Sequence, residues 1–236
     1  MTGEWPPRRL PVPPERMRPG SSMSRPRCLP GGVRGWNVAI SNRDISAALA
    51  AYLERYPEEA ALLSEPVRLL SQGGDFASRR NFPVHVTAGA LLVRGTEILL
   101  VEHRAYGIVL QPGGHLEPDD VTLAGAAERE LAEETGIDRG AVFCVSEVPV
   151  YVEFGRVPAR PAKDEPDHFH LDFGFAFATT EGDVGRIQES EVNGASWYPL
   201  AVAERLVGQR IGRAVSAPPD RLVETDRLPP PGDPGQ

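Results

Sequence analysis

The sequence predicts an α+β domain preceded by an N-terminal helical segment, and three observations predict it. Between residues 41 and 72 apolar side chains recur at helical period. From about residue 82 they alternate, or run together, in short strand-like segments. Set among those segments is one stretch, Gly113 to Ile137 (GGHLEPDDVTLAGAAERELAEETGI), that reads as a glycine turn followed by a single acidic helix.

Taken in order, residues 1–36 are rich in Pro, Arg, Gly and Ser and hold little that builds a core, so they read as a disordered tail. Met17 and Met23 leave a later natural start open. Residues 37–80 form the helical segment. Ser41, Asn42 or Asp44 caps a helix in which Ile45, Leu49, Leu53 and Tyr56 form one face, and Pro57 closes it. A second helical stretch runs from Glu58 through Val67 and Leu70 to Gly73-Gly74. Two fates suit these helices, a cap on the following domain or a homodimer surface.

The main domain is expected over residues 81–207. Val84, Val86 and Ala88, then Ala90 to Val93 and Ile98 to Val101, flank a turn at Arg94-Gly95-Thr96 and read as a hairpin. Ile108 to Leu110 lead into the glycine pair. After the acidic helix, Ala141 to Val152, His168 to Thr179 and Ala195 to Tyr198 are strand-like, and Ala201 to Leu206 begin a last helix. Residues 208–236 return to Pro, Asp and Gly and read as a second disordered tail.

The acidic helix carries the chemistry. Glu130, Glu133 and Glu134 stand at i, i+3 and i+4, on one face and within reach of one another. Like charges so placed destabilise an isolated helix by roughly 0.2–0.5 kcal/mol per pair. A hard divalent cation with oxygen preference relieves that repulsion, and Mg2+ is the expected cofactor, with Mn2+ as a substitute. A glycine backbone turns sharply enough to offer its own carbonyl to such an ion, and Gly113 is the candidate. Asp119, Asp120 and Thr122 compete for the N-cap. Leu123, Ala127 and Leu131 form the buried stripe, and Gly136 the left-handed C-cap.

These residues resemble the signature of the Nudix hydrolases: Gly, five residues, Glu, seven residues, then Arg-Glu-apolar-x-Glu-Glu-x-Gly-apolar. Arg129 to Ile137 match the second half without a gap. Counting from Gly114, the first half carries Asp120 in place of Glu, with eight residues rather than seven before Arg129. The resemblance covers about half the chain. It implies an α/β/α sandwich around a mixed β-sheet, and Mg2+-dependent cleavage of a nucleoside diphosphate linked to another moiety, such as a nucleoside triphosphate, nucleotide sugar or ADP-ribose. It implies Glu130, Glu133, Glu134 and Gly113 as metal ligands, Glu133 or Glu134 in catalysis, and Arg129 as the residue that orients the carboxylates.

Outside the signature, Arg104 is a candidate for a substrate phosphate, because a guanidinium matches two phosphate oxygens at once. The loop Arg156 to Asp167 carries Arg156, Arg160 and Lys163 among prolines and is long enough for a lid. His168, His170 and Asp172 alternate along a strand and share a face. They line the substrate cleft, with His170 bonded to Asp172, or else hold a transition metal; the cleft is the favoured reading. Glu189 or Glu191, in a late loop, is a further carboxylate for the metal or the proton. Tyr106, Phe154 and Phe169 are aromatic surfaces on which a base could stack.

A net charge of -8 argues against binding a nucleic acid polymer or a membrane surface. Two cysteines, Cys28 and Cys144, imply no disulfide framework and fit a reducing compartment, the cytoplasm. No apolar run approaches a membrane span and no secretory signal is expected. Two rival functions remain: a non-catalytic nucleotide sensor on the same fold, and a prenyl-diphosphate isomerase, which would need a cysteine beside the diphosphate.

Overall fold

The structure, a computed structural model, describes residues 39–104, 107–161, 164–180 and 183–217. The expected N-terminal tail, Cys28, Tyr106, Lys163 and the chain beyond residue 217 lie outside the described residues. Eight strands form one sheet among them: β1 (Val84–Arg94), β2 (Glu97–His103), β3 (Ile108–Leu110), β4 (Gly113–His115), β5 (Phe143–Cys144), β6 (Tyr151–Val157), β7 (His168–Ala178) and β8 (Val192–Pro199). The helices are α1 (Asn42–Arg55), α2 (Ser64–Ser71), α3 (Leu123–Thr135) and α4 (Leu200–Val207).

The sheet is mixed. β1 and β7 run parallel along ten paired residues, from Val84 opposite Phe169 to Val93 opposite Ala178, and the other pairings are antiparallel. β2 pairs with only the far end of β1, at Val93 and Arg94, while β4 pairs with its near half, Thr87 to Gly89. The strands therefore diverge there, and β4 delivers the glycine pair into the gap.

Alternation along β1 and β7 divides the core into two layers. Val86, Ala88, Ala90 and Leu92, with Phe173, Phe175 and Phe177, meet α1, α2 and α3 through Ile45, Leu49, Leu63, Leu123, Ala127 and Leu131. Leu91 and Ala176 meet Ala203 of α4 and Ile211 and Ala214 beyond it. The result is the α/β/α sandwich. The same face that buries Leu91 carries His85 and Thr87 nearer the start of β1, opposite His170 and Asp172. One face of one strand pair thus passes from imidazole to carboxylate to apolar core.

Three local expectations change. Ser41 is the cap of α1, in a reciprocal capping box with Asp44, but the buried stripe is Ile45, Leu49 and Tyr52 rather than a line through Leu53. Of the strand expected over Ala141 to Val152, only Phe143–Cys144 and the start of β6 pair, because the intervening residues turn through hydrogen bonds to the Ser146 hydroxyl. Within the tail expected from residue 208, Gln209–Ala214 form a 3-10 helix. Arg213 in that helix donates to Tyr52 (2.8 Å) and Glu59 (2.7 Å) and lies over the Tyr56 ring, anchoring this segment to the N-terminal helices.

Candidate active site

The hairpin end, β4 and α3 assemble the carboxylates. Thr122 caps α3 by accepting from the Gly125 N–H (2.9 Å), so neither Asp119 nor Asp120 is the cap. Gly136 ends the helix at φ 65°, the left-handed position that glycine adopts without strain. A Cβ at Gly136 would also strike the backbone of Arg186, in the loop leading to β8. That loop lies across the helix end, with the Gln188 N–H donating to the Glu134 carbonyl, and so carries Glu191 toward the carboxylates.

Arg129 organises the site. It donates to both oxygens of Asp120 (3.1 and 2.9 Å), to Glu130 (3.0 Å), to Glu133 (3.1 Å) and to the His115 carbonyl (3.0 Å). Asp120 is buried and also accepts from the Glu117 N–H (2.7 Å). It closes its own loop and clamps the arginine, and that is the place of the shorter carboxylate in the longer loop. Glu134 accepts from the Gly113 N–H (3.0 Å). Gly114 makes room for Glu130, since a Cβ there would fall 2.6 Å from its carboxylate.

Burial pushes the Glu130 carboxyl up to about 7 against the lowering effect of Arg129, and pushes Glu134 up to about 8 against the Gly113 N–H. The charges of Glu133 and Glu191 raise both further, and Glu130 adds to the rise at Glu134. More negative charge is gathered here than Arg129 alone offsets, and the donors are all oxygen. A hard divalent cation fits such a set. Two adjoining clefts meet at this point, sharing Arg79, Gly114, His115 and Glu191. One, of about 370 Å³, reaches Glu134, Arg156, Arg160, His170 and Asp172; the other, of about 630 Å³, reaches Glu130 and Glu133.

Of the remaining candidates, Asp172 lies half-buried on the floor of the first cleft. It accepts from Thr87 (2.9 Å), Gln111 (3.4 Å) and Tyr151, and burial raises its carboxyl. His170 lines the cleft, but its ring nitrogen faces His168 (3.1 Å) rather than Asp172. His168 is buried behind it, with Nδ1 against the Pro166 carbonyl (2.7 Å), and does not line the cleft. Arg104 differs from expectation: its side chain donates to the Glu189 carbonyl (2.7 Å) and its N–H to the Glu191 carbonyl (2.8 Å), so it ties down the late loop instead of lining the cleft. Of Glu189 and Glu191, only Glu191 borders the clefts. Phe154 and Phe169 stack on each other (4.8 Å between centroids) against the core. Cys144 sits opposite Phe177, five residues along β7 from Asp172, away from the carboxylates.

Sequence reading missed His85, His115, Thr87, Gln111 and Tyr151. One signal was present for Tyr151: Gly174 interrupts the apolar run from Phe173 to Ala178 in β7, and a Cβ there would overlap the Tyr151 ring. His85 and His115 carried no local pattern that pointed to a site.

Comparison with known proteins agrees with the signature. The NUDIX domain family model matches residues 83–216, more than half of the chain. Phosphatase NudJ of Escherichia coli K12 is 48% identical over 58 residues, which are 24% of this chain and 37% of NudJ. The match thus spans little more than a third of that relative's length. Among solved structures, a Caenorhabditis elegans Ap4A hydrolase binary complex aligns over 56% of this chain and 95% of its own, at 19% identity and TM-score 0.43. The NUDIX domain of Shewanella oneidensis NrtR, complexed with ADP ribose, aligns over 63% and 96%, at 21% identity and TM-score 0.38.

Proposed function

Because the chain belongs to the NUDIX domain family, we propose that it is a divalent-metal-dependent pyrophosphohydrolase that cleaves the diphosphate of a nucleotide linked to another moiety. The observation that carries this reading is the convergence of Glu130, Glu133 and Glu134 beside Gly113 and Gly114, two of them buried, around Arg129. Glu130, Glu133, Glu134 and the Gly113 carbonyl would hold Mg2+, or Mn2+ in its place. A cation bound there supplies neutralisation of the diphosphate charge and Lewis acidity toward a water.

The chain's own residues do the rest. Arg129 and Asp120 fix the carboxylate geometry by charged hydrogen bonds and leave the substrate to other cations. Arg79, Arg156 and Arg160, on the cleft wall, meet the phosphates. Arg156 is exposed and paired with Asp167 (2.8 Å), so substrate exchanges one oxyanion partner for another. Glu133 or Glu134 on the helix, or Glu191 on the loop, accepts the proton of the attacking water. Asp172, held by Tyr151, Thr87 and Gln111, offers the cleft floor a fixed set of polar atoms.

A panel of nucleoside triphosphates, dinucleotides, nucleotide sugars and ADP-ribose, incubated with Mg2+ and read by released nucleotide or phosphate, tests the reading on wild type beside Glu133→Gln. Cleavage of one class, lost by roughly three orders of magnitude in the variant, supports it. Nucleotide binding without cleavage of any member would replace it with a sensor.

A further inference from the structure

We propose that His85, His168 and His170 form a second metal site, for a borderline transition-metal cation of the zinc class, separate from the carboxylate site. Each of the three offers a ring nitrogen, and these nitrogens all lie within 4.8 Å of one another. His85 and His170 are directly paired across the parallel β1–β7 seam, and His168 stands two residues before His170 on the same face.

Hydrogen bonding separates a metal site from a stack of aromatic rings. His85 is 1% exposed, and among the described residues neither of its ring nitrogens has a hydrogen-bond partner of normal geometry, only an electrostatic interaction with the Asn81 backbone. Leaving a buried polar group unpaired costs about 1–3 kcal/mol, and two such atoms on one interior side chain call for a ligand. His168 is held as zinc-bound histidines are held: Nδ1 meets the Pro166 carbonyl at 2.7 Å, which fixes its proton there and leaves Nε2 bare. That nitrogen accepts a hydrogen bond from Nε2 of His170 at 3.1 Å, a bond that a metal shared by the two would replace. Donors around a tetrahedral ion with Zn–N near 2.0–2.1 Å stand about 3.4 Å apart, so one pair is already at that spacing and His85 needs only a ring adjustment.

The setting suits nitrogen ligation. Phe82 closes one side, edge-on to His85 (5.8 Å) and His168 (5.2 Å), and the His115 ring, 5.0 Å from His85 and 5.3 Å from His170, closes another. Imidazole selects zinc-class ions, and the carboxylate set nearby selects hard ones, so the two sites do not compete for the same metal.

The full chain is titrated with Zn2+ against a chromophoric chelator in millimolar Mg2+, and separately with Co2+ read by visible absorption. The site predicts one Zn2+ per chain, an intense visible band for nitrogen-ligated four-coordinate Co2+, and a rise in Tm on adding Zn2+. His85→Gln and His170→Gln, checked for folding by circular dichroism, each weaken Zn2+ binding by roughly 100-fold or more, while Glu133→Gln leaves it unchanged. The wild-type Co2+ spectrum needs no variant, so a variant that fails to fold does not shield the proposal. Absence of that band, displacement of Zn2+ by Mg2+, or loss of Zn2+ binding in Glu133→Gln instead of the histidine variants would overturn it.

Discussion

Two groups of ligand-type side chains flank strand β4, and they are made in opposite ways. The carboxylates come from positions 130, 133 and 134 of one helix, and Arg129, just before them, bonds Glu130 and Glu133 while Glu134 takes the Gly113 N–H. The histidines come from positions 85, 168 and 170 and share one hydrogen bond, between His168 and His170, while the His85 ring nitrogens have none of normal geometry among the described residues. The carboxylate group pays for its repulsion with Arg129 and Asp120 inside the protein. The histidine group has unmet bonding instead of unmet charge. Repulsion and vacancy are two different reasons to want a cation, and they respond differently to mutation.

The largest expected difference is in catalysis. Glu133 is half exposed and holds only an ion pair with Arg129, so Glu133→Gln is expected to leave Tm nearly unchanged. It is expected to lower kcat by about three orders of magnitude in Mg2+, in the assay of diphosphate cleavage. A variant that keeps full activity would detach the helix from the chemistry.

Next comes a test of space. The Cβ of Gly114→Ala would fall 2.6 Å from the Glu130 carboxylate, which must then move. Overpacking of this kind costs about 1–3 kcal/mol, and the displaced ligand should cost roughly a further 100-fold in activity. Thermal unfolding and Mg2+ activation, measured together, check both. An alanine that is neutral in each would mean that Glu130 has no fixed place.

His85→Leu is expected to do the reverse. It removes two unpaired buried nitrogens, so the metal-free protein should be unchanged or more stable by about 1 kcal/mol. Denaturant unfolding with chelator present measures this, and a loss of several kcal/mol would mean that the imidazole has partners of its own. In Zn2+ the order should invert, because only wild type gains from binding.

The same contrast explains what could be read before the structure. Arg129 to Ile137 lie on consecutive turns of one helix, so their spacing alone placed Glu130, Glu133 and Glu134 on one face and Gly136 at its end. The strands were legible from alternation, because each has to bury one face or two, and their arrangement as a sandwich from what the resemblance implies. What depends on pairing between distant strands was not legible. Whether His170 meets Asp172 or His168, and whether Arg104 faces the cleft or the Glu189 carbonyl, is decided by the β1–β7 register and by the path of the late loop. The third histidine, 83 positions before His168, was invisible for the same reason. Gln209–Ala214 look like tail by composition, but three side chains, Arg210, Ile211 and Arg213, hold them to the body.

The smallest effect comes from a third carboxylate whose surroundings differ from both sites. Glu59 is buried, which raises its carboxyl, but hydrogen bonds from Tyr52 (2.6 Å) and Arg213 (2.7 Å) and the charge of Arg210 outweigh that and leave it below its usual range. Burial moves Glu130 and Glu134 the other way, with less cation there to offset it. A depressed folded pKa means that the unfolded chain binds the proton more readily. The stabilisation is therefore fully present above the unfolded glutamate value of about 4.3 and is lost as pH falls through the lower folded value. Glu59→Gln removes that dependence. At pH 7 it should cost of the order of 1–2 kcal/mol, the worth of charged hydrogen bonds to Arg213 and Tyr52. As pH falls through the lowered folded value, the gap between variant and wild type should narrow, since Glu59 then takes up its proton and both are uncharged at this position. Urea midpoints at pH 7 and below pH 4 measure it. A gap that stays constant with pH would show that Glu59 acts through packing and not through its charge.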